Sequence, residues 1–167
     1  MNNSKGFTLM ELMVVVGIVA ILVSIAVPNF KTWVEHQRLS ASVRTIHSLF
    51  QTSRMEAIKE GQNVVVDFPN SGGYMAFVDN DGDRVADTGE RVIASGTFPN
   101  HIYFDGVGFH LNGGALANER KTHFDSRGLT VGRSGEVALA NFNAEIKGVT
   151  LNNAGVSRVV NMSGDGA

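Results

Sequence analysis

Five carboxylates fall within one stretch, Asp79-Asn80-Asp81-Gly82-Asp83-Arg84-Val85-Ala86-Asp87-Thr88-Gly89-Glu90, at positions 1, 3, 5, 9 and 12 of its twelve residues. When such a chain curls, alternate residues present oxygens to one point, and a hard cation such as calcium takes about six to eight of them. Asp79, Asp81, Asp83, Asp87 and Glu90 are therefore candidate metal ligands, and their spacing resembles calcium loops of the Asp-x-Asp-x-Asp type. The stretch departs from that type at position six, where Arg84 replaces the expected glycine and brings a charge and a side chain to the tight turn. A solvated acidic turn without metal is the other reading of the same residues. A further carboxylate, Glu11, stands one residue before an uncharged run from Leu12 to Phe30. At the edge of hydrocarbon a carboxylate costs a few kcal/mol unless it is paired or reaches the interface. Glu11 thus either lies solvated among lipid headgroups or meets a cation brought by another molecule.

Catalytic arrangements fail on spacing. Gly132-Arg133-Ser134-Gly135-Glu136 begins like a nucleophile elbow, but Glu136 occupies the place of the second glycine. Gly106-Val107-Gly108 has Leu111 where a dinucleotide loop needs its third glycine. The histidines His36, His47, His101, His110 and His123 include no close metal-ligand pair and read as surface or packing residues. With no cysteine in the chain, disulfides, thiolate zinc sites and a thiol nucleophile are excluded.

The elements that position these groups follow from a very uneven distribution of charge and hydrophobicity. The chain has 167 residues, one domain's length, and a formal net charge of -2. The acidic stretch holds -4 of that, which leaves only +2 for everything else. Nineteen glycines and three prolines suit a turn-rich sheet region. The run from Leu12 to Phe30 approaches the ~20 residues needed to cross a bilayer as a helix. A secretory signal peptide would want a small-x-small cleavage site after the run, and Ala26-Val27-Pro28-Asn29-Phe30-Lys31 is a poor one. A plain membrane anchor fits the run but leaves Glu11 without a role.

Lys5-Gly6-Phe7-Thr8-Leu9-Met10-Glu11-Leu12-Met13-Val14-Val15-Val16 resembles the class III signal of type IV prepilins and pseudopilins. The resemblance implies that prepilin peptidase, a membrane aspartyl enzyme, cuts between Gly6 and Phe7, and that Phe7 becomes an N-methylated first residue. It further implies that Glu11 pairs with the terminal amine of a neighbouring subunit, which would offset the cost of burying its carboxylate. Pro28 also matches a family position; by removing a donor and crowding the preceding turn it should kink or locally open the helix, or simply mark the end of the membrane segment. The family's glycine eight residues before that proline is replaced by Ala20.

Beyond Lys31 the chain turns polar but keeps helical periodicity. Leu39, Val43, Ile46, Phe50, Ala57 and Ile58 share one side, and Gly61 is placed to cap the C-terminus. The expected divisions are a leader over 1–6, an assembly helix over 7–30, an amphipathic helix over 31–61, and a β-rich periplasmic head over 62–167. Strands are expected at Val64–Phe68, Tyr74–Asp79, Arg91–Ala94, Ile102–Phe104, Thr122–Phe124, Gly135–Ala140, Lys147–Leu151 and Val156–Asn161, with a hairpin turn at Asn70-Ser71-Gly72-Gly73. One long helix followed by such strands gives an α+β fold, with an antiparallel sheet packed on the helix.

Arg54-Met55-Glu56-Ala57-Ile58 and Phe124-Asp125-Ser126-Arg127-Gly128 are similar to the helix end and the Phe-x-x-x-Gly segment of the GspH/FimT branch of pilin-like proteins. The resemblance implies a non-catalytic minor pilin or pseudopilin of a bacterial inner membrane, assembling with other pilins into a pilus or a type II secretion pseudopilus. Two alternatives stand beside it: a filament-displayed module binding calcium-dependent partners or DNA, and an unprocessed membrane-anchored periplasmic protein. Nucleic acid is not an expected partner, because Arg120, Lys121, Arg127, Arg133, Lys147 and Arg158 are scattered and the paired-basic tail is missing.

Overall fold

A computed structural model describes residues 7–111, 119–130 and 133–162. Among the described residues one α-helix, α1, runs from Leu9 to Glu60. Eight strands follow: β1 (Asn63–Asp67), β2 (Gly73–Asp79), β3 (Val92–Thr97), β4 (Ile102–Leu111), β5 (Lys121–Phe124), β6 (Arg133–Asn141), β7 (Ile146–Leu151) and β8 (Ser157–Asn161). The chain divides into two compact units, residues 1–34 and 35–167.

In the first unit the described residues are helical from Leu9, and those from Phe7 to Trp33 are exposed. Thr8 caps the helix: its hydroxyl accepts the Glu11 amide at 3.2 Å and its carbonyl accepts that of Leu12 at 3.2 Å. The apolar stretch is long and apolar enough to cross a membrane, and none of it is buried. Its few polar side chains bond back to the helix itself. Ser24 Oγ donates to Ile21 O at 2.7 Å, Asn29 Nδ2 to Ile25 O at 3.1 Å, and Thr32 Oγ1 to Pro28 O at 3.3 Å. Side chains satisfied in this way suit an apolar surrounding, where water supplies no partners. The helix carries on through Pro28 without a break.

The second unit holds the core. Leu39, Val43, Ile46, Leu49, Phe50 and Ala57 form the inward stripe of α1, with Ser42 and Ser53 among them. Ile58, expected on this stripe, is 51% exposed, because the helix turns it away one residue past Ala57. Gly61 ends the helix with φ of 68° and donates its amide to Ala57 O at 3.0 Å, the left-handed cap that glycine adopts without strain.

The strands form two antiparallel sheets rather than one, ordered β3-β2-β1-β5 and β4-β6-β7-β8. The expected turn joins β1 to β2, with Gly72 at φ 88° and its amide on Pro69 O. An isolated bridge pairs Phe109 of β4 with Glu119, two residues before β5. Phe50 of α1 stands edge-on to Phe68, Phe109 and Phe124, with ring centroids 5.9, 6.3 and 6.3 Å away, so one helical side chain ties the two sheets together. Val64 and Val66 face this core, whereas Val65 and its cross-strand partner Phe77 point to the other face of the first sheet and are also fully buried. The segment after β2 crosses that outer face, held there where Lys121 Nζ donates to Arg84 O at 3.0 Å.

Candidate functional site

The N-terminal candidates come first. Gly6 lies outside the described residues. Phe7 precedes the helix and is 79% exposed. Glu11 sits in the first turn, where a negative charge complements the helix dipole, and its carboxylate has no partner among the described residues. Thr8-Leu9-Met10-Glu11 has capping-box spacing, a signal for the helix start that sequence reasoning passed over. Ahead of Glu11, a bare apolar helix offers side chains such as Leu12, Val16, Ile21 and Ile25 to whatever surrounds it.

The acidic loop is the second candidate. Asp79, at the end of β2, is buried, while Asp81 and Asp83 are exposed; oxygens from all three lie within 4.8 Å of one another. The loop's own amides shape this convergence. Asp79 Oδ1 accepts Gly82 N at 2.8 Å, Asp81 Oδ1 accepts Asp83 N at 3.2 Å, and Asp83 Oδ1 accepts Val85 N at 2.6 Å. Glu90 closes the loop instead of joining the cluster: its carboxylate accepts Asn80 N at 2.8 Å and Asp87 N at 3.2 Å. Asp87 also stands outside the group of three, yet the charge of Asp83, then partial desolvation and the charges of Asp81 and Glu90, raise its carboxyl above the ordinary range. Arg84, in the glycine position, adopts φ of 63°, the left-handed conformation the turn demands. Three of the five expected ligands therefore fit a hard cation that completes its shell with backbone carbonyls and water. Arg91 ties the loop's exit to α1, its Nη2 lying 2.7 Å from both Glu56 and Glu60.

A third cluster joins the two segments Arg54–Ile58 and Phe124–Gly128. Arg54 Nε donates to Gly128 O at 3.1 Å. Gly128 has φ of 75°, and a Cβ there would lie 2.7 Å from Ile58 Cδ1 and 3.1 Å from Arg54 Cγ. The turn is set by Asp125, whose Oδ1 accepts the amides of Arg127 and Leu129, each at 2.9 Å. Burial pushes the Asp125 carboxyl up, but these amides and the Arg127 guanidinium outweigh it and hold the group below its ordinary value.

Several other titratable groups are engaged by near neighbours. His47 Nδ1 lies 3.0 Å from Ser157 Oγ, which also accepts Gln51 Nε2 at 2.9 Å. His36 pairs with Glu145, and His101 Nδ1 is 3.3 Å from Glu35. Of the scattered basic residues, Arg127 pairs with Asp125, Lys147 with Glu145 and Ser40, and Lys121 with Asp67. Gly106 and Gly108 lie within β4, and Ser134, Gly135 and Glu136 within β6, so neither glycine motif forms the loop its chemistry would need.

Comparison with known proteins places these features. The model of the type II transport protein GspH family matches residues 42–166, and that of the prokaryotic N-terminal methylation motif matches residues 1–27. A fimbrial protein of Pseudomonas aeruginosa is 38% identical over 65 residues, 39% of this chain and 42% of that protein. The pilin-like protein PilA1 of Thermus thermophilus is 32% identical over 89 residues, 52% of this chain and 56% of that protein. The chain thus spans about half the length of these relatives or less. A crystal structure of the minor pseudopilin EpsH, from the type II secretion system of Vibrio cholerae, shares the fold. Its TM-score is 0.56 at 16% identity, over 78% of this chain and 98% of that one.

Proposed function

The chain belongs to the type II transport protein GspH family of pilin-like structural subunits, and we propose that it is cut by prepilin peptidase between Gly6 and Phe7 and built into a pilus or secretion pseudopilus. The observation that carries this reading is the uncovered apolar helix with one unpartnered carboxylate, Glu11, near its start. Before assembly that helix lies in the bacterial inner membrane with the head in the periplasm. On assembly the same apolar surface passes from lipid to the helices of neighbouring subunits. Cleavage frees an amine at Phe7, and Glu11 of one subunit pairs with the amine of the next, so that neither charge stays unpaired in an apolar filament core. Glu11→Gln keeps the volume and removes the charge. Breaking a buried pair from one side costs ~3–5 kcal/mol, so the variant is expected to be cleaved normally but to enter filaments more than about tenfold less. Immunoblots of whole membranes and of isolated filaments measure both quantities, and incorporation at the wild-type level contradicts the proposed pair.

A second reading attaches to the acidic loop, favoured by the convergence of Asp79, Asp81 and Asp83. A bound calcium ion would be held by these three carboxylates and would relieve their mutual repulsion, fixing the loop on the head's surface. With calcium at about 100 times its dissociation constant, linkage predicts a gain of ~2.7 kcal/mol. The full-length chain in detergent should then melt higher in calcium than in chelator, and Asp81→Asn should remove the difference. Equal melting temperatures in the two conditions leave the loop a solvated turn.

A further inference from the structure

The turn joining β6 to β7 displays Phe142, which is 80% exposed, the most exposed large apolar side chain of the second unit among the described residues. The turn that holds it out is built with care. Asn141 beneath it is fully buried: its Oδ1 accepts the amides of Asn143 and Glu145, each at 3.0 Å, and its Nδ2 donates to Glu145 Oε2 at 3.1 Å. Ala144 takes the left-handed φ of 58°, and its amide donates to Asn141 O at 3.1 Å. A buried amide satisfied at both ends fixes the conformation of such a turn. Two other exposed rings stand beside Phe142. The Tyr103 hydroxyl donates to Asn141 O at 3.3 Å, and the His101 ring centroid lies 6.1 Å from that of Phe142.

The same contacts tie this tip to the residues by which α1 enters the second unit. His36 pairs with Glu145, and His101 Nδ1 lies 3.3 Å from Glu35. Back along the chain, Trp33 is two residues before Glu35, and Phe30 closes the uncharged run. Both of these rings are exposed, with centroids 5.8 Å apart. Aromatic residues at the end of an apolar span mark the membrane–water interface. However the chain bends there, two residues reach at most about 7 Å. The headgroup layer on either side of the hydrocarbon is itself about 5–8 Å deep. Glu35 and His36 therefore lie at headgroup level, and their partners reach the β6–β7 turn. The carboxylates there are neutralised, Glu35 by Arg38 at 3.0 Å and Glu145 by Lys147 at 2.9 Å, so no net charge opposes a lipid surface.

We propose that Phe142, with Tyr103 beside it, is a second lipid contact, dipping into the headgroup–acyl boundary of the bilayer that the apolar helix crosses. The proposal rests on the inner-membrane reading given above. An exposed ring gains by leaving water, and the fixed turn spares it the cost of being ordered on contact. A second point of contact also stops the head turning freely about the span before assembly.

The test reconstitutes the full-length chain, at a lipid excess that keeps subunits apart, in vesicles of phosphatidylcholine brominated on the upper acyl chain. Bromine quenches any tryptophan it touches, and unbrominated vesicles give the reference intensity. Trp33 is the chain's one tryptophan and reports the span. Trp33→Phe combined with Phe142→Trp moves the reporter to the turn. Trp33→Phe combined with Val85→Trp moves it to the acidic loop, whose exit Arg91 ties to Glu56 and Glu60 at the far end of α1. The turn reporter is expected to lose at least about half as large a share of its intensity as Trp33 does, and the loop reporter almost none. Quenching of Trp33 with none at the turn, or equal quenching at turn and loop, overturns the proposal and leaves the membrane span standing. No quenching of Trp33 overturns the span and the proposal with it. A turn reporter that lipid does not quench, but whose emission shifts to the blue as subunits are crowded, overturns the proposal in favour of a second copy of this chain covering Phe142.

Discussion

Gly128 shows how a single residue fixes the local structure. With φ of 75° and Ile58 Cδ1 only 2.7 Å from where a Cβ would sit, alanine at this position must both enter the left-handed region and displace the helix side chain beneath it. Gly128→Ala is therefore expected to destabilise the chain by about 1–3 kcal/mol, read as a lower melting temperature in thermal or urea unfolding. An unchanged melting temperature would show that the turn relaxes freely. Both members of this contact were legible in the sequence as segments, Arg54–Ile58 and Phe124–Gly128, but not as a contact. Nothing in local spacing says that the guanidinium of residue 54 reaches the carbonyl of residue 128. Spacing did better in the acidic loop, where positions 1, 3 and 5 converge as alternation requires. Glu90 stands apart from that group, its carboxylate accepting the amides of Asn80 and Asp87, contacts that spacing alone does not announce.

Among the elements, all eight strands fall where β-formers alternate with turn residues, displaced at most a few residues from expectation. The exception in length is β4, expected at Ile102–Phe104, which continues to Leu111 through Asp105-Gly106-Val107-Gly108, where two glycines weaken the strand pattern. A register shift between Phe104 and Gly106 absorbs the irregularity, and pairing with β6 resumes beyond it. Pairing order was not legible. β1 takes β5 as its second neighbour across more than 50 intervening residues, and β4 joins β6 instead of β3, which divides the strands into two sheets. Such choices depend on which faces can be buried together, a property of the assembled core and not of any one strand. Phe50 is the test of that core, since it touches rings from three separate strands or turns. Phe50→Ala should cost about 3–5 kcal/mol in unfolding free energy. A loss below about 1 kcal/mol would mean that the two sheets do not depend on this helix side chain.

For the whole molecule, the division of labour lies along the chain. The buried apolar core lies within the second unit, from Leu39 to Leu151, whereas the apolar residues from Phe7 to Trp33 are exposed. A helix that is hydrophobic all round is stable only in lipid or packed among other helices. The asymmetry was fully legible, because it needs no long-range information, only an uncharged run with Glu11 at its edge. Its place in a filament depends on processing at Gly6 and Phe7. The most direct test is the intact mass and N-terminal sequence of the protein expressed with and without prepilin peptidase. The account predicts a product beginning at Phe7 and carrying an added methyl group when the peptidase is present, and the full chain from Met1 when it is not. A chain that still begins at Met1 in the presence of the peptidase, or one cut after the apolar run, contradicts it.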